Sequence, residues 1–227
     1  MSYIWQDFNI KTFPAETIVF RNGVFCPELS TLESPEISKN YDLPVHIIYV
    51  GELAGKNDLD IVIGENIKNQ KIYFSGKIKI NKNTKLNTSI KNNGLNSDLI
   101  GFFIIENHAD LDFNINAHHL CKNTGISIKT RLLAYTGSIS KLTGTAYIYK
   151  YCDNCRSNID FSAMSDKNTK IIFSPQQKIS AIPDYAEHSA NIAHYTQQQI
   201  EYLYQAGLTD IEVKNTLKQA FIDNIDF

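Results

Sequence analysis

Apolar and polar side chains alternate with a period of two along the middle of the chain. The runs fall at Leu59, Ile61 and Ile63; at Ile72, Phe74, Ile78 and Ile80; at Ala109, Leu111, Phe113, Ile115 and Ala117; at Leu142, Gly144, Ala146 and Ile148; and at Ile159, Phe161 and Ala163. Successive side chains of a strand point to opposite faces, so each run predicts a strand with one buried and one solvated face. Lys, Asn, Asp and Ser occupy the other face, and links such as Lys91-Asn92-Asn93-Gly94 and Lys122-Asn123-Thr124-Gly125 supply turns. No helical period appears between Gly51 and Ile179. Many short strands without crossover helices argue against a doubly wound sheet and leave a sandwich, a barrel or a β-solenoid. No fixed-length repeat stands out to choose among them.

The pattern changes after the last strand-like run. Thr196 stands three residues before Gln199, and Thr209 three before Glu212. Each pair has the spacing of a capping box, in which the threonine accepts a backbone N–H and the later side chain reaches back, so two helix starts are predicted. Ile200, Leu203 and Tyr204 share one face of the first helix, and Gly207 supplies the left-handed residue that ends it. Val213, Leu217, Ala220 and Phe221 form the stripe of the second. The expected organisation is an N-terminal segment over residues 1–44 leading into the core, a β core over 45–182 and a C-terminal helical region over 183–227 that holds a hairpin from Thr196 to Phe221. The hairpin needs a surface to bury against, either the core or another protein.

Composition narrows the function classes. With 227 residues, 43% of them hydrophobic, the chain can build one sizeable core. A net charge of -2 with mixed signs gives no basic footprint, which argues against a nucleic acid partner. The apolar runs Val45 to Val50 and Leu99 to Ile105 are far shorter than the ~20 residues of a membrane-spanning helix, so no membrane association is expected. Trp5, Gln6 and Asp7 lack the basic start and apolar core of a secretion signal, and a cytoplasmic location is the expectation. Four cysteines in a chain of this length do not make a disulfide framework. Cys152-x-x-Cys155 has the spacing of half a zinc knuckle or of a redox pair. It has neither a second such motif nor a βαβ context, so a loop with two thiols is its plain reading. In His118-His119-Leu120-Cys121, a strand would place His119 and Cys121 on one face and His118 on the other, so all three ligands would converge only in a turn. Neither a G-x-x-x-x-G-K-[ST] loop nor a G-x-S-x-G elbow is present, and the chain reads as a non-enzyme.

Two stretches carry a family resemblance. Ser174-Pro175-Gln176-Gln177-Lys178-Ile179, His188 nine residues later, Tyr202-Leu203, Gly207-Leu208 and Ala220-Phe221 together resemble the C-terminal signature of the SufB/SufD scaffolds of iron-sulfur cluster assembly. Family members typically read P-x-L-x-I, C-S-H-G-A, a helix with an F-Y-L core, R-G-I or R-G-L, and a second helix ending A-F. The frame matches without a gap, while Ala186, Glu187 and Ser189 stand where the family has Cys, Ser and Gly, and Ala206 replaces the arginine. Phe20-Arg21-Asn22-Gly23-Val24-Phe25-Cys26-Pro27-Glu28-Leu29-Ser30 is similar to a SufD-type opening, although SufD proteins usually carry a helical N-terminal region and only about twenty residues precede Gly23 here.

The resemblance implies a mainly β fold with a β-helix (solenoid) core and a small helical hairpin, closest to SufD. It implies a SufB-like subunit and a SufC-like ATPase as partners, with Tyr202, Leu203, Tyr204, Leu208, Leu217 and Phe221 as candidate partner contacts. It implies no permanent cofactor; iron or a transient iron-sulfur cluster would be held at a subunit interface by His188, the position the family gives a histidine. Glu187 is a weaker oxygen donor, since it faces away from His188 on a strand, and Cys152 and Cys155 are weaker thiol candidates. Pairing through the C-terminal rungs also allows a homodimer without partners. Two alternatives stand beside this reading: a scaffold homologue that no longer touches iron, because of Ala186, and a β-solenoid carbohydrate-active enzyme using Asp110 and Asp112 as acid and base.

Overall fold

The computed structural model describes residues 15–33 and 40–223. Trp5, Gln6 and Asp7, the rest of residues 1–14, and residues 34–39 and 224–227 lie outside the described residues. The core is a β-solenoid of about 6 turns. Its strands are β1 (Glu16–Arg21), β2 (Val24–Phe25), β3 (Val45–Ile63), β4 (Lys71–Asn92), β5 (Asp98–Asn107), β6 (Asp110–His119), β7 (Gly125–Ala134), β8 (Ile139–Ile148), β9 (Arg156–Ser165), β10 (Lys170–Ile179) and β11 (Tyr185–Ala193). Helices α1 (Gln197–Gln205) and α2 (Asp210–Asp223) follow.

Two walls face each other across the core. The first stacks β1, the first half of β3, the first half of β4, β5, β7, β9 and β11; the second stacks the other halves of β3 and β4, then β6, β8 and β10. β3 and β4 bend from one wall into the other without a break, β3 through a register shift between Leu53 and Gly55. All rung-to-rung pairing is parallel, so a side chain stands directly over its counterpart in the previous turn. Val45, Ile72, Leu99, Ile126, Ser157 and Ala186 form one such column, at steps of 27, 27, 27, 31 and 29 residues. The alternation read from sequence is the inward face: Phe74, Phe103, Phe113 and Phe161 are fully buried, and the Phe103 ring lies 4.9 Å from Phe74 and 5.3 Å from Phe113.

A repeat is therefore present, and its marker is at one corner. Asn69, Asn96, Asn123 and Asn154 all adopt left-handed backbone, with φ between 53° and 58°. Asparagine is among the few side chains that tolerate this region. Their amides form a ladder up the solenoid, Asn96 Nδ2 donating to Asn69 Oδ1 at 3.1 Å, Asn123 to Asn96 at 3.0 Å and Asn154 to Asn123 at 3.3 Å. At the same corner Gly125 lets the Asp98 carboxylate pass over it to Arg156 Nη2 at 2.7 Å; a Cβ there would collide with that carboxylate.

Both helix starts form as the spacing predicts. Gln199 N donates to Thr196 Oγ1 at 3.3 Å while Thr196 N donates to Gln199 Oε1 at 2.9 Å, and Thr209 and Glu212 make the same exchange. Gly207, at φ 89°, ends α1 in the left-handed region. No helix among the described residues is long and apolar enough to cross a membrane.

Candidate functional site

No further turn lies above the last turn of the solenoid among the described residues. Among the described residues β10 pairs only with β8, and β11 only with β9. Register then fixes which side chains face the uncovered end of the core. Ala186, His188, Ala190 and Ile192 stand over Ser157, Ile159, Phe161 and Ala163, all of them buried. Across the core, Phe173 and Ile179 stand over buried Leu142 and Ile148, and Phe173 stacks on Phe161 at 5.9 Å. Ile179 and Ile192 are 40% and 37% exposed, unlike their counterparts one turn earlier. Pro175 and Gln177, between Phe173 and Ile179, stand over Gly144 and Ala146, so the open end mixes apolar side chains with Gln177 on one wall and His188 on the other.

His188 is exposed, and Glu187 lies over Asn158 on the outer face, pointing away from the histidine. β11 is fastened from that outer side: Ser189 Oγ donates to Asp160 Oδ1 at 2.6 Å, and Asp160 Oδ2 accepts from Arg131 Nη1 at 3.1 Å. Pro175 sits in β10, an edge strand, where a missing N–H is tolerated.

The two thiol motifs come together at the asparagine corner. Cys152 and Cys155 are buried with Ile148, and Ala186 packs against this group. Thr124 Oγ1 bridges His119 Nδ1 at 2.8 Å and Cys155 Sγ at 3.2 Å, and Cys155 Sγ donates to the Cys121 carbonyl at 3.3 Å. Burial raises the Cys152 thiol pKa, and the neighbouring Cys155 and Cys121 raise it further. Cys152 and Cys155 are thus buried side chains of the core, and the raised Cys152 value disfavours its thiolate, the reactive form. His118 points outward, stacked on Tyr147 at 4.6 Å with Nδ1 2.9 Å from Tyr149 Oη, so His118 and His119 do not converge. No group of three or more His, Cys, Asp or Glu side chains among the described residues has the geometry to hold a metal ion.

The hairpin divides the candidate partner contacts in two. Phe221 and Val213 of α2 are buried; α2 packs on β7, where the Arg131 guanidinium lies 5.9 Å from the Phe221 ring centroid. Lys218 Nζ lies 4.0 Å from the ring centroid of Tyr135, which stacks on His108 at 3.9 Å. Tyr195 Oη donates to the Leu217 carbonyl at 2.7 Å, leaving Leu217 half-buried. Phe221 is thus an anchor turned to the solenoid and presents no surface of its own. α1 buries no residue: Tyr202 is 70% and Tyr204 44% exposed, with Leu203 and Leu208 half-buried beside them.

Asp110 and Asp112 both face outward on β6, where Asp112 Oδ2 lies 3.8 Å from Lys85 Nζ and Asp112 Oδ1 accepts from Asn114 at 3.3 Å. The residues that reasoning from sequence missed are those of the open turn, Phe173, Ile179, Ala190 and Ile192. Alternation marks a strand at Ala186, His188, Ala190 and Ile192, while Gln177 interrupts it between Phe173 and Ile179, and neither stretch shows in sequence that its face is uncovered. Comparison with protein-family models and with curated proteins finds no match to the chain.

Proposed function

We propose that the chain is a SufD-like scaffold subunit of iron-sulfur cluster assembly, which pairs with a SufB-like subunit through the open C-terminal turn and docks a SufC-like ATPase on α1. The observation that carries this reading is the uncovered end itself. A solenoid end with free strand edges and core-type side chains is a surface made for another strand pair. His188 stands in that surface, at the position where the family resemblance places its histidine. A neutral imidazole there is a competent iron ligand, and a thiolate from the partner would complete a mixed site. Ala186 supplies no ligand, so this chain's part in cluster chemistry is at most one nitrogen, and its larger part is architectural. α1 fits the second docking role because a capped helix with an exposed aromatic face, held in place by an anchored neighbour, suits an interface hot spot.

The test is a charge placed in the middle of the open turn. Ala190 is exposed in the isolated chain, so Ala190→Arg should leave its fold and thermal midpoint unchanged while abolishing co-elution with a SufB-like subunit. Undiminished co-elution would move the pairing surface elsewhere. His188→Ala should keep the pair intact and lower cluster formation. The carbohydrate-active alternative gains no specific support from Asp110 and Asp112, whose surroundings are those of a solvated face.

A further inference from the structure

Among the described residues, the opposite end of the solenoid is covered on one wall and bare on the other. β1 pairs with Val45–Val50 of β3, and residues 22–32 fold back over β1 through the hydrogen bonds of Cys26 N to the Val19 carbonyl and Thr31 N to the Thr17 carbonyl. The second half of β3, Gly55 to Ile63, pairs only with β4 among the described residues. Among the described residues its other edge is a row of unpaired backbone groups. Beneath it opens a cavity of about 600 Å³, walled by Phe20, Tyr49, Leu53, Leu59, Phe74 and Leu86.

Register separates the two faces of this edge. Leu59 and Ile61 stand over Thr88 and Ile90 and face the cavity, while Lys56, Asp58, Asp60 and Val62 continue the outer columns. Asp58 accepts from Asn87 Nδ2 at 2.7 Å and lies 3.9 Å from Lys56 Nζ. Asp60 is exposed and has no side-chain partner among the described residues. One turn further on, Lys85 and Asp112 occupy successive positions of a single outer column and meet at 3.8 Å, while Lys56 stands over Lys85 in the same column, so this wall holds both an opposite-charge and a like-charge step. Opposite charges in register stabilise neighbouring strands and like charges oppose their pairing.

We propose that the free edge of Gly55 to Ile63 takes up an extended segment of another protein in which apolar side chains alternate with lysine or arginine. The backbone of that segment completes the ladder, its apolar side chains enter the cavity over Leu59 and Ile61, and its basic side chains stand over Asp58 and Asp60. This is recognition by strand addition, in which the main chain gives affinity and alternate side chains give specificity. It concerns the end of the molecule remote from the open C-terminal turn and does not depend on the scaffold reading.

The probe is a fluorescein-labelled heptapeptide alternating isoleucine or valine with lysine, titrated into the full chain by fluorescence anisotropy, with hydrogen exchange followed on the complex. Saturable binding is expected, with slowed exchange of amides in residues 55–63. The same peptide carrying glutamate for lysine should bind at least tenfold more weakly, and Asp58→Lys with Asp60→Lys should reverse that order. Asp60→Lys alone, a change at one exposed position, should narrow the difference. No saturable binding, equal affinity for both peptides, or binding without protection of residues 55–63 would overturn the proposal. The last result would mean that the cavity takes apolar molecules without strand pairing.

Discussion

His46 and His119 are almost wholly buried, and burial holds both imidazoles neutral, with pKa values lowered to about 4. His46 Nε2 lies 2.8 Å from Ser75 Oγ, and His119 Nδ1 lies 2.8 Å from Thr124 Oγ1. The nearby Arg156 charge lowers the His119 value further. In the unfolded chain both would titrate near 6.5. Between those values the unfolded state takes up protons that the folded state refuses, so stability is full above pH 6.5 and falls as the pH drops towards 4. Below that it changes no further through these groups. Each histidine contributes on the order of 3 kcal/mol to this loss. Urea midpoints measured from pH 7 to pH 4.5 should fall steeply for the parent chain. The fall should be shallower for His46→Gln and His119→Asn, which keep a hydrogen-bonding atom near the lost ring nitrogen. Equal slopes in parent and variants would show that these imidazoles are charged in the folded protein. From sequence, the opposite faces of His118 and His119 followed from strand parity. That Thr124 would join His119 to Cys155 did not, because the bridge spans two turns and depends on their stacking.

At the scale of elements, the hairpin separates anchoring from presentation. Phe221→Asp should release α2 from β7, seen as fast hydrogen exchange across both helices, and any loss of ATPase binding would follow from that release. Tyr202→Ala removes an exposed ring, so it should leave helix protection unchanged and weaken ATPase binding by about 1–3 kcal/mol if α1 is the docking face. Normal binding by Tyr202→Ala would place the ATPase elsewhere. The helices were legible because a capping box is a contact across three residues, written in local chemistry at Thr196 and Gln199. The strands were legible from alternation. The solenoid period was not, because the turns vary: equivalent positions recur after 27 residues between Leu99 and Ile126 but after 31 between Ile126 and Ser157. The constant feature is a left-handed asparagine at one corner, and in sequence Asn69, Asn96, Asn123 and Asn154 are hidden among many other asparagines.

At the scale of the whole molecule, both proposed docking surfaces of the solenoid lie at its ends, where the stacking that buries the core stops. β11 falls inside the stretch that the sequence reading assigns to the C-terminal helical region, and only register shows that Ala190 and Ile192 continue the Phe161 and Ala163 columns, with nothing above them among the described residues. Openness is a property of the assembled solenoid, which explains why His188 could be singled out from sequence while its surroundings could not. The central claim is that this end and the hairpin serve a three-part assembly. Its most direct measurement is co-expression of the chain with a SufB-like subunit and a SufC-like ATPase, followed by size exclusion with mass determination. The account predicts one complex containing all three proteins. Elution of this chain alone, while the other two still associate with each other, would contradict it.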